Sequence, residues 1–288
     1  MKKIGLTGSS GILGKTFYNI LTSEGFFVKK IFRESLSFSD LDTFNDTLNE
    51  FDIIIHAAAN TDVEACEVNK EDCFRDNVLL TENISKICRS NNIKLIFISS
   101  TGIYGSKQQE PYSEFDEPNP TTVHHYSKYL AEKEVEKVLN SLILRVGWLF
   151  GGDYDQKKNF VARRIDEAKN CQKPIKSNTQ QFGCPTYCLD VAKQLLIFIQ
   201  RDITGIFNCV NEGVASRYEF VQEIYNFLKI NVNLEQALTE EFSRLAKVSN
   251  NETAFNCKQN MIGMPKMRPW KESLHDYLKY ELCLHRES

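Results

Sequence analysis

No charge of one sign dominates this chain. Its formal net charge is −3, so it offers no basic face for nucleic acid or for an acidic membrane surface. It also lacks a long apolar run: residues 53–59 are the most apolar early stretch, far short of the roughly 20 residues that cross a bilayer. There is no repeat and no low-complexity tract. The nine cysteines form no CxxC pair and no Cys/His cluster at metal-ligand spacing. Cys184 and Cys188 are the nearest pair, but Pro185 lies between them and no second pair completes a zinc set, so no metal is expected. With no secretory leader, the thiols are expected to be reduced and the protein cytoplasmic. What is left is an ordinary globular composition, and 288 residues suffice for one large domain or two lobes with a sizeable core.

The organising stretch is the first fourteen residues. Residues 3–7 read as a short buried strand, Gly8, Gly11 and Gly14 follow at three-residue spacing, and a helical pattern begins at Ile12. Strand, glycine turn and helix in that order make a phosphate cradle. Gly8 permits the turn, Gly11 lets a pyrophosphate reach the backbone, and Gly14 seats the helix against its strand. The exposed N–H groups and dipole at the helix start favour the anion.

Residues 26–32 read as a second strand. A site for NAD usually carries a carboxylate at its tip, for the ribose 2′-hydroxyl; this chain has Phe32 and then Arg33, which suits the extra phosphate of NADP. A short helix over 41–49 leads to a buried strand over 51–59 ending in small residues, where a flat cofactor could lie. A helix is expected over 72–90, a buried strand over 94–100, a long loop over 107–122, and a helix capped by Thr121 or Thr122. A further strand spans 141–146. This alternation predicts an α/β fold with a Rossmann-type doubly wound parallel sheet. Beyond it, helices are expected over 160–170, 190–200, 217–229, 239–247 and 270–282, with a strand over 205–210. Residues 1–150 would form the dinucleotide-binding domain, with the chain returning to its sheet at about 180–210. Residues 151–288 would form mainly a smaller substrate-binding lobe.

Several segments then fall in one order along nearly the whole chain. They are the glycine run of residues 8–14, His56-Ala-Ala-Ala-Asn-Thr-Asp-Val63, Ser99-Ser-Thr-Gly-Ile-Tyr-Gly105, Ser127-Lys128, Leu144-Arg-Val-Gly-Trp148, Gln181-Phe-Gly-Cys-Pro-Thr-Tyr187 and Gly205-Ile-Phe-Asn208. In these the chain resembles the extended short-chain dehydrogenase/reductases that act on nucleotide sugars, and within them the dTDP-4-dehydrorhamnose reductase branch. The resemblance implies that Gly8, Ser10, Gly11, Ile12 and Gly14 hold a pyrophosphate and that Arg33 meets the 2′-phosphate. It places Asp40 and Leu41 at the adenine, and Ala57, Ala58 and Ala59 along the ribose and nicotinamide side. Ser100 would hydrogen-bond the substrate carbonyl, Lys128 would hold the nicotinamide ribose, and Thr101, Trp148 and Gln181 would line the sugar pocket. A homodimer would suit the family.

One expected residue is missing. The family's catalytic tyrosine stands four residues before the lysine, one helical turn away on the same face. Four before Lys128 is His124. Tyr126 is rotated by about 200° and could serve only from a distorted helix start, and His125, about 100° off, is expected at the surface. A histidine delivers a proton only as imidazolium, a form the Lys128 charge opposes. Where related 4,6-dehydratases carry an Asp-Glu pair, Thr101-Gly102 stands here, which argues against elimination of water. Related epimerase-reductases place a cysteine where Gly102 lies, so that route lacks its acid. Two expectations follow. One is an NADP-dependent reductase of a nucleotide-linked 4-keto-6-deoxy sugar, serving cell-surface carbohydrate synthesis. The other is a catalytically silent NADP-binding regulatory or scaffold protein, as in the methionine adenosyltransferase regulatory subunit of the same branch.

Overall fold

The computed structural model describes residues 2–36 and 41–282, the side chains at 35, 41 and 42 excepted. The first half runs β1 (Lys3–Thr7), α1 (Ile12–Ser23), β2 (Phe27–Ile31), α2 (Leu41–Leu48), β3 (Ile53–His56), α3 (Val63–Val68), α4 (Lys70–Phe74), α5 (Leu80–Ser90), β4 (Lys94–Ser100), α6 (Val123–Val135) and β5 (Ser141–Val146). The second half continues β6 (Leu149–Phe150), α7 (Phe160–Asn170), β7 (Ile175–Asn178), β8 (Phe182–Gly183), β9 (Thr186–Tyr187), α8 (Cys188–Gln200), β10 (Gly205–Cys209), β11 (Ala215–Ser216), α9 (Arg217–Leu228), β12 (Leu234–Ala237), α10 (Cys257–Met261) and α11 (Trp270–Asp276).

Six strands form one parallel sheet in the order β2-β1-β3-β4-β5-β10. Alternation along each strand sends side chains to opposite faces. Ile4, Leu6, Ile55, Ile96 and Leu144 pack on one face with Phe17 of α1 and Phe198 of α8. Ile54, Leu95, Phe97 and Ile143 pack on the other with Phe44 of α2, Ile84 of α5 and Val135 of α6. Burial on both faces explains why β3, β4 and β5 read as mainly apolar runs, the buried Arg145 of β5 being paired with Glu132 of α6. The doubly wound α/β arrangement is thus present. A third core gathers Trp148, Phe150, Tyr187, Phe220, Trp270 and Tyr277 beside the sheet's carboxyl edge, with short two-stranded pieces around it.

Three expected elements differ. Strand β3 stops at His56, so Ala57 to Ala59 lie in irregular chain beyond it. The helical run before β4 begins at Val63, where Asp62 caps α3, and a π turn at Arg75–Leu79 joins α4 to α5. Residues 239–247 do not form a helix beyond a 3-10 turn at Thr239–Glu241. Their donors are taken instead by Glu64 of α3, which accepts from the Arg244 side chain and from the backbone N–H groups of Leu245 and Ala246. A carboxylate far away in sequence outcompetes the helical ladder there. Among the described residues no helix is long and apolar enough to cross a membrane, no group of side chains is set to hold a metal, and the cysteines are unpaired thiols.

Candidate active site

The carboxyl ends of β1, β3 and β4 and the start of α6 converge on one edge of the sheet. At β1 the chain turns through Gly8, whose φ of +70° disfavours a side chain; a Cβ there would also stand 2.5 Å from the Ala58 nitrogen. A Cβ on Gly14 would overlap the Gly8 carbonyl oxygen, so the first turn of α1 lies directly on the loop. Gly11, which donates to the Gly8 carbonyl at 3.0 Å, occupies the N-cap of α1. It supplies no side-chain cap, and the first turn contains no acidic residue. The N-terminal N–H groups therefore keep their capacity for an external anion. Ser10 and Gly11 are exposed, Ile12 is half-buried, and Ala57, Ala58 and Ala59 line the facing side, half-buried. The cradle fits a dinucleotide pyrophosphate, because the glycines clear the space that side chains would fill.

A one-directional chain of hydrogen bonds braces the cradle. The Ala58 N–H donates to Thr7 Oγ1 at 3.2 Å, and Thr7 Oγ1 lies 2.7 Å from His56 Nδ1. On the far side His56 Nε2 lies 3.0 Å from Thr81 Oγ1, whose hydroxyl donates to the Asn77 carbonyl at 2.6 Å. Each hydroxyl has one proton, so the directions are fixed: Thr7 donates to Nδ1 and Nε2–H donates to Thr81. His56 is neutral, since burial and then the Lys128 charge hold its imidazole down at about 3.

Ser100 ends β4, half-buried, and accepts the Gly102 N–H at 3.1 Å, which leaves its own hydroxyl proton available to donate. Thr101 is buried in the turn that follows. On α6, Thr122 caps the helix through the His125 N–H, and Lys128 is buried with its Nζ 3.9 Å from the centre of the Phe97 ring. Burial pulls the Lys128 ammonium down to about 7, with Glu132 and Cys73 acting the other way. His124, one turn before it, is buried, and its Nδ1 lies 2.9 Å from the Asn60 carbonyl oxygen. Burial, then the charges of His125 and Lys128, hold it well below the ordinary histidine value. A carbonyl only accepts, so Nδ1 carries the proton and Nε2 of the neutral ring is a bare acceptor. Asn77 locks this arrangement: it accepts the Asn60 N–H at 2.7 Å and donates to the Asn60 carbonyl and to Ser127 Oγ.

Two expectations about this helix change. Tyr126 is exposed and sits edge-on to Phe74 on the outer side, because α6 is regular from its cap and carries the tyrosine away from His124. His125 is buried, not superficial: its imidazole fills the place a side chain on Gly102 would take. Arg33, in the turn after β2, is exposed and paired through both terminal nitrogens with Asp76, which also pairs with Arg75. Asp40 lies outside the described residues; Leu41 begins α2. Across the cleft, buried Trp148 donates from Nε1 to Glu252 Oε2 at 2.7 Å, and the Arg217 guanidinium lies 3.4 Å from the centre of its indole. Gln181 is buried; its backbone N–H donates to Asn178, and its carbonyl accepts from the Arg217 N–H. Asn60, Asn77, Asp76, Arg217 and Glu252 were not singled out from the sequence. Only Asn60, adjoining the alanines, had a local signal.

A parallel doubly wound sheet with a glycine cradle at β1, and with a serine and a helical lysine at its carboxyl edge, defines an extended short-chain dehydrogenase/reductase. Within that class the chain belongs to the RmlD substrate binding domain family, which it matches over residues 1–283. It is 25% identical to a dTDP-4-dehydrorhamnose reductase of Mycolicibacterium smegmatis, over 96% of this chain and 84% of that one. Among solved structures it is similar to a dTDP-4-dehydrorhamnose reductase of Clostridium acetobutylicum, with a TM-score of 0.90, 29% identity, and 96% and 98% of the two chains covered. It is equally similar to one from Bacillus anthracis in complex with NADP, with a TM-score of 0.90, 26% identity and the same coverage. The family is one of nicotinamide-dependent nucleotide-sugar reductases.

Proposed function

We propose that this protein binds NADP(H) and reduces the keto carbon of a nucleotide-linked 4-keto-6-deoxy sugar, or reverses that step. The observation that carries this reading is the convergence on one sheet edge of the uncapped α1 start with Ser100, Lys128 and a residue able to exchange a proton. Gly8, Ser10, Gly11, Ile12 and Gly14 would hold the pyrophosphate, Ala57 to Ala59 would border the nicotinamide, and Arg33 would reach the 2′-phosphate. The bound dinucleotide supplies hydride chemistry. Ser100 donates its hydroxyl proton to the sugar carbonyl and polarises it. Lys128 holds the ribose and, in its protonated form, places positive charge near the reacting oxygen. His124 exchanges the proton through Nε2. As imidazolium it gives that proton to the nascent alkoxide; as neutral imidazole it can only take one from a hydroxyl. Thr101, Trp148 and Gln181 shape the sugar end.

The neutral, acceptor-only state of His124 also supports the second reading, a silent NADP-binding subunit of regulatory or scaffold type. Single-turnover oxidation of bound NADPH against a panel of 4-keto nucleotide sugars separates the two. Turnover by the wild type that His124→Ala abolishes supports the reductase. A wild type that binds NADPH and oxidises none of it, but gains activity as His124→Tyr, supports the silent subunit. No affinity for either pyridine nucleotide ends both.

A further inference from the structure

Glu252 presents a problem in hydrogen-bond accounting. Its Oε2 accepts from Trp148 Nε1, but Oε1 is buried without a hydrogen-bond partner among the described residues. Leaving a carboxylate oxygen dry and unpaired is costly, so such an atom calls for a partner that the folded chain does not supply. The nearest candidate is His125 Nε2 at 4.0 Å, too far for a hydrogen bond. Thr122 Oγ1 accepts the His125 backbone N–H and can give its own proton to His125 Nδ1 at 3.1 Å, the direction favoured by the acceptor-only Glu252 carboxylate opposite Nε2. Nε2 then carries the ring proton. A donor and an acceptor face one gap, and an oxygen about 2.8 Å from each would bridge them at roughly a right angle. A hydroxyl fits, because, like water, it both accepts and donates at one atom.

The gap lies beside the candidate active site. His125 stands against Gly102, two residues beyond Ser100, and its ring centre is 5.0 Å from that of His124. Glu252 is brought in by backbone pairing of its N–H with the Phe182 carbonyl, next to Gln181, and is held by Trp148 under the Arg217 guanidinium. We infer that Glu252 Oε1 and His125 Nε2 form a subsite that takes a hydroxyl of the sugar in a bound nucleotide sugar, distinct from the oxygen that faces Ser100. The ligand class is therefore a hydroxyl-bearing pyranose nucleotide, and an analogue lacking that hydroxyl is disfavoured. This rests on the nucleotide-sugar reading given above.

The test is titration calorimetry of the full chain saturated with NADP, using dTDP, dTDP-glucose and the 2-, 3-, 4- and 6-deoxy derivatives of dTDP-glucose. The 2-deoxy or the 3-deoxy derivative should bind the wild type about ten- to a hundredfold more weakly than dTDP-glucose, the loss expected for a hydrogen bond to a charged group, whereas a penalty confined to the 4- or 6-deoxy derivative overturns the subsite. In Glu252→Ala the same derivative and dTDP-glucose should bind within about twofold of each other, with dTDP affinity unchanged. Should that variant fail to fold, Glu252→Gln keeps an acceptor for Trp148, and the deoxy series on the wild type needs no variant. A flat deoxy series on the wild type means that only water fills the gap and overturns the subsite while leaving the nucleotide-sugar reading intact. So does a penalty that persists undiminished in Glu252→Ala. A wild type that holds NADP but binds neither dTDP nor dTDP-glucose overturns the nucleotide-sugar reading itself, and the subsite with it.

Discussion

His124 Nδ1 faces the Asn60 carbonyl oxygen at 2.9 Å, and this contact decides which proton chemistry the ring can perform. Tied in this way, Nε2 gains a proton only when the whole ring is cationic. The reductive direction should therefore depend on the small imidazolium fraction, which rises as pH falls toward a value already held below 6.5 by burial and by the charges of His125 and Lys128. Rates of NADPH-dependent reduction are expected to rise between pH 8 and pH 7, by less than about tenfold per unit, because Lys128, held near 7 by burial, takes up its own proton in the same window and opposes the imidazolium. The groups that modulate this profile are His125, Lys128 and Lys158, all cationic or potentially so. His124→Tyr, a donor without charge, should weaken it to the dependence set by Lys128 alone. A wild-type rate that does not change with pH would remove His124 from the proton step.

Arg33 is engaged by Asp76, and this bears on cofactor choice. The carboxylate is shared between Arg33 and Arg75, and Asp72 also pairs with Arg75, so the two guanidiniums are balanced by two carboxylates and Asp76 competes directly for Arg33. Removing the carboxylate as Asp76→Ala should raise the NADPH-to-NADH affinity ratio about five- to tenfold, while Arg33→Ala should lower it by a similar factor. Equilibrium fluorescence titration of both reduced cofactors measures the ratio. If it is unchanged in Arg33→Ala, discrimination lies elsewhere.

The glycine cradle tolerates even less change. A methyl group on Gly14 would collide with the Gly8 carbonyl oxygen, which is backbone and cannot swing aside. Gly14→Ala should push α1 off its loop, cost about 1–3 kcal/mol of stability by denaturant unfolding, and weaken NADPH binding at least about tenfold. Gly25→Ala is the control: nothing lies within 4 Å of a Cβ there, although its φ of +83° makes some loss of stability expected without loss of binding.

These features were not equally legible in the sequence. The cradle, the buried strands and the Thr122 cap are local: spacing of glycines, runs of apolar residues and one hydroxyl ahead of a helix suffice. His124 in place of tyrosine was legible as a substitution, but its tautomer was not, because that depends on a carbonyl 64 positions away. His125 departs from the surface position that helical periodicity suggests because the first turn of α6 is covered on two sides, by the Asn60 loop and by the Gly102 turn, and periodicity describes one. The failed helix over 239–247 has the same origin, since Glu64 claims its backbone donors across more than 180 positions. Arg33 was visible, whereas its partner Asp76 was not. Local chemistry reads out directly; pairings closed by the fold do not.

His56 supplies a prediction about stability. It is wholly buried and uncharged between Thr7 and Thr81, held down at about 3, whereas in the unfolded chain it titrates near 6.5. Between those values the unfolded chain binds a proton that the folded chain refuses, so stability is complete above 6.5 and falls as the pH drops toward 3. By pH 5 the loss from this residue alone should reach about 2 kcal/mol, at 1.36 kcal/mol per unit. His124 and His125, also held low by burial, act in the same direction, so the effect must be isolated by difference. Urea unfolding at pH 7 and pH 5 should show a drop in the wild type larger by about 2 kcal/mol than in His56→Gln, even though the variant starts less stable for want of the buried bonds. Equal drops in the two proteins would mean that His56 takes up its proton within the native fold, and that the chain from Ala58 to Asn77 does not hold the ring neutral.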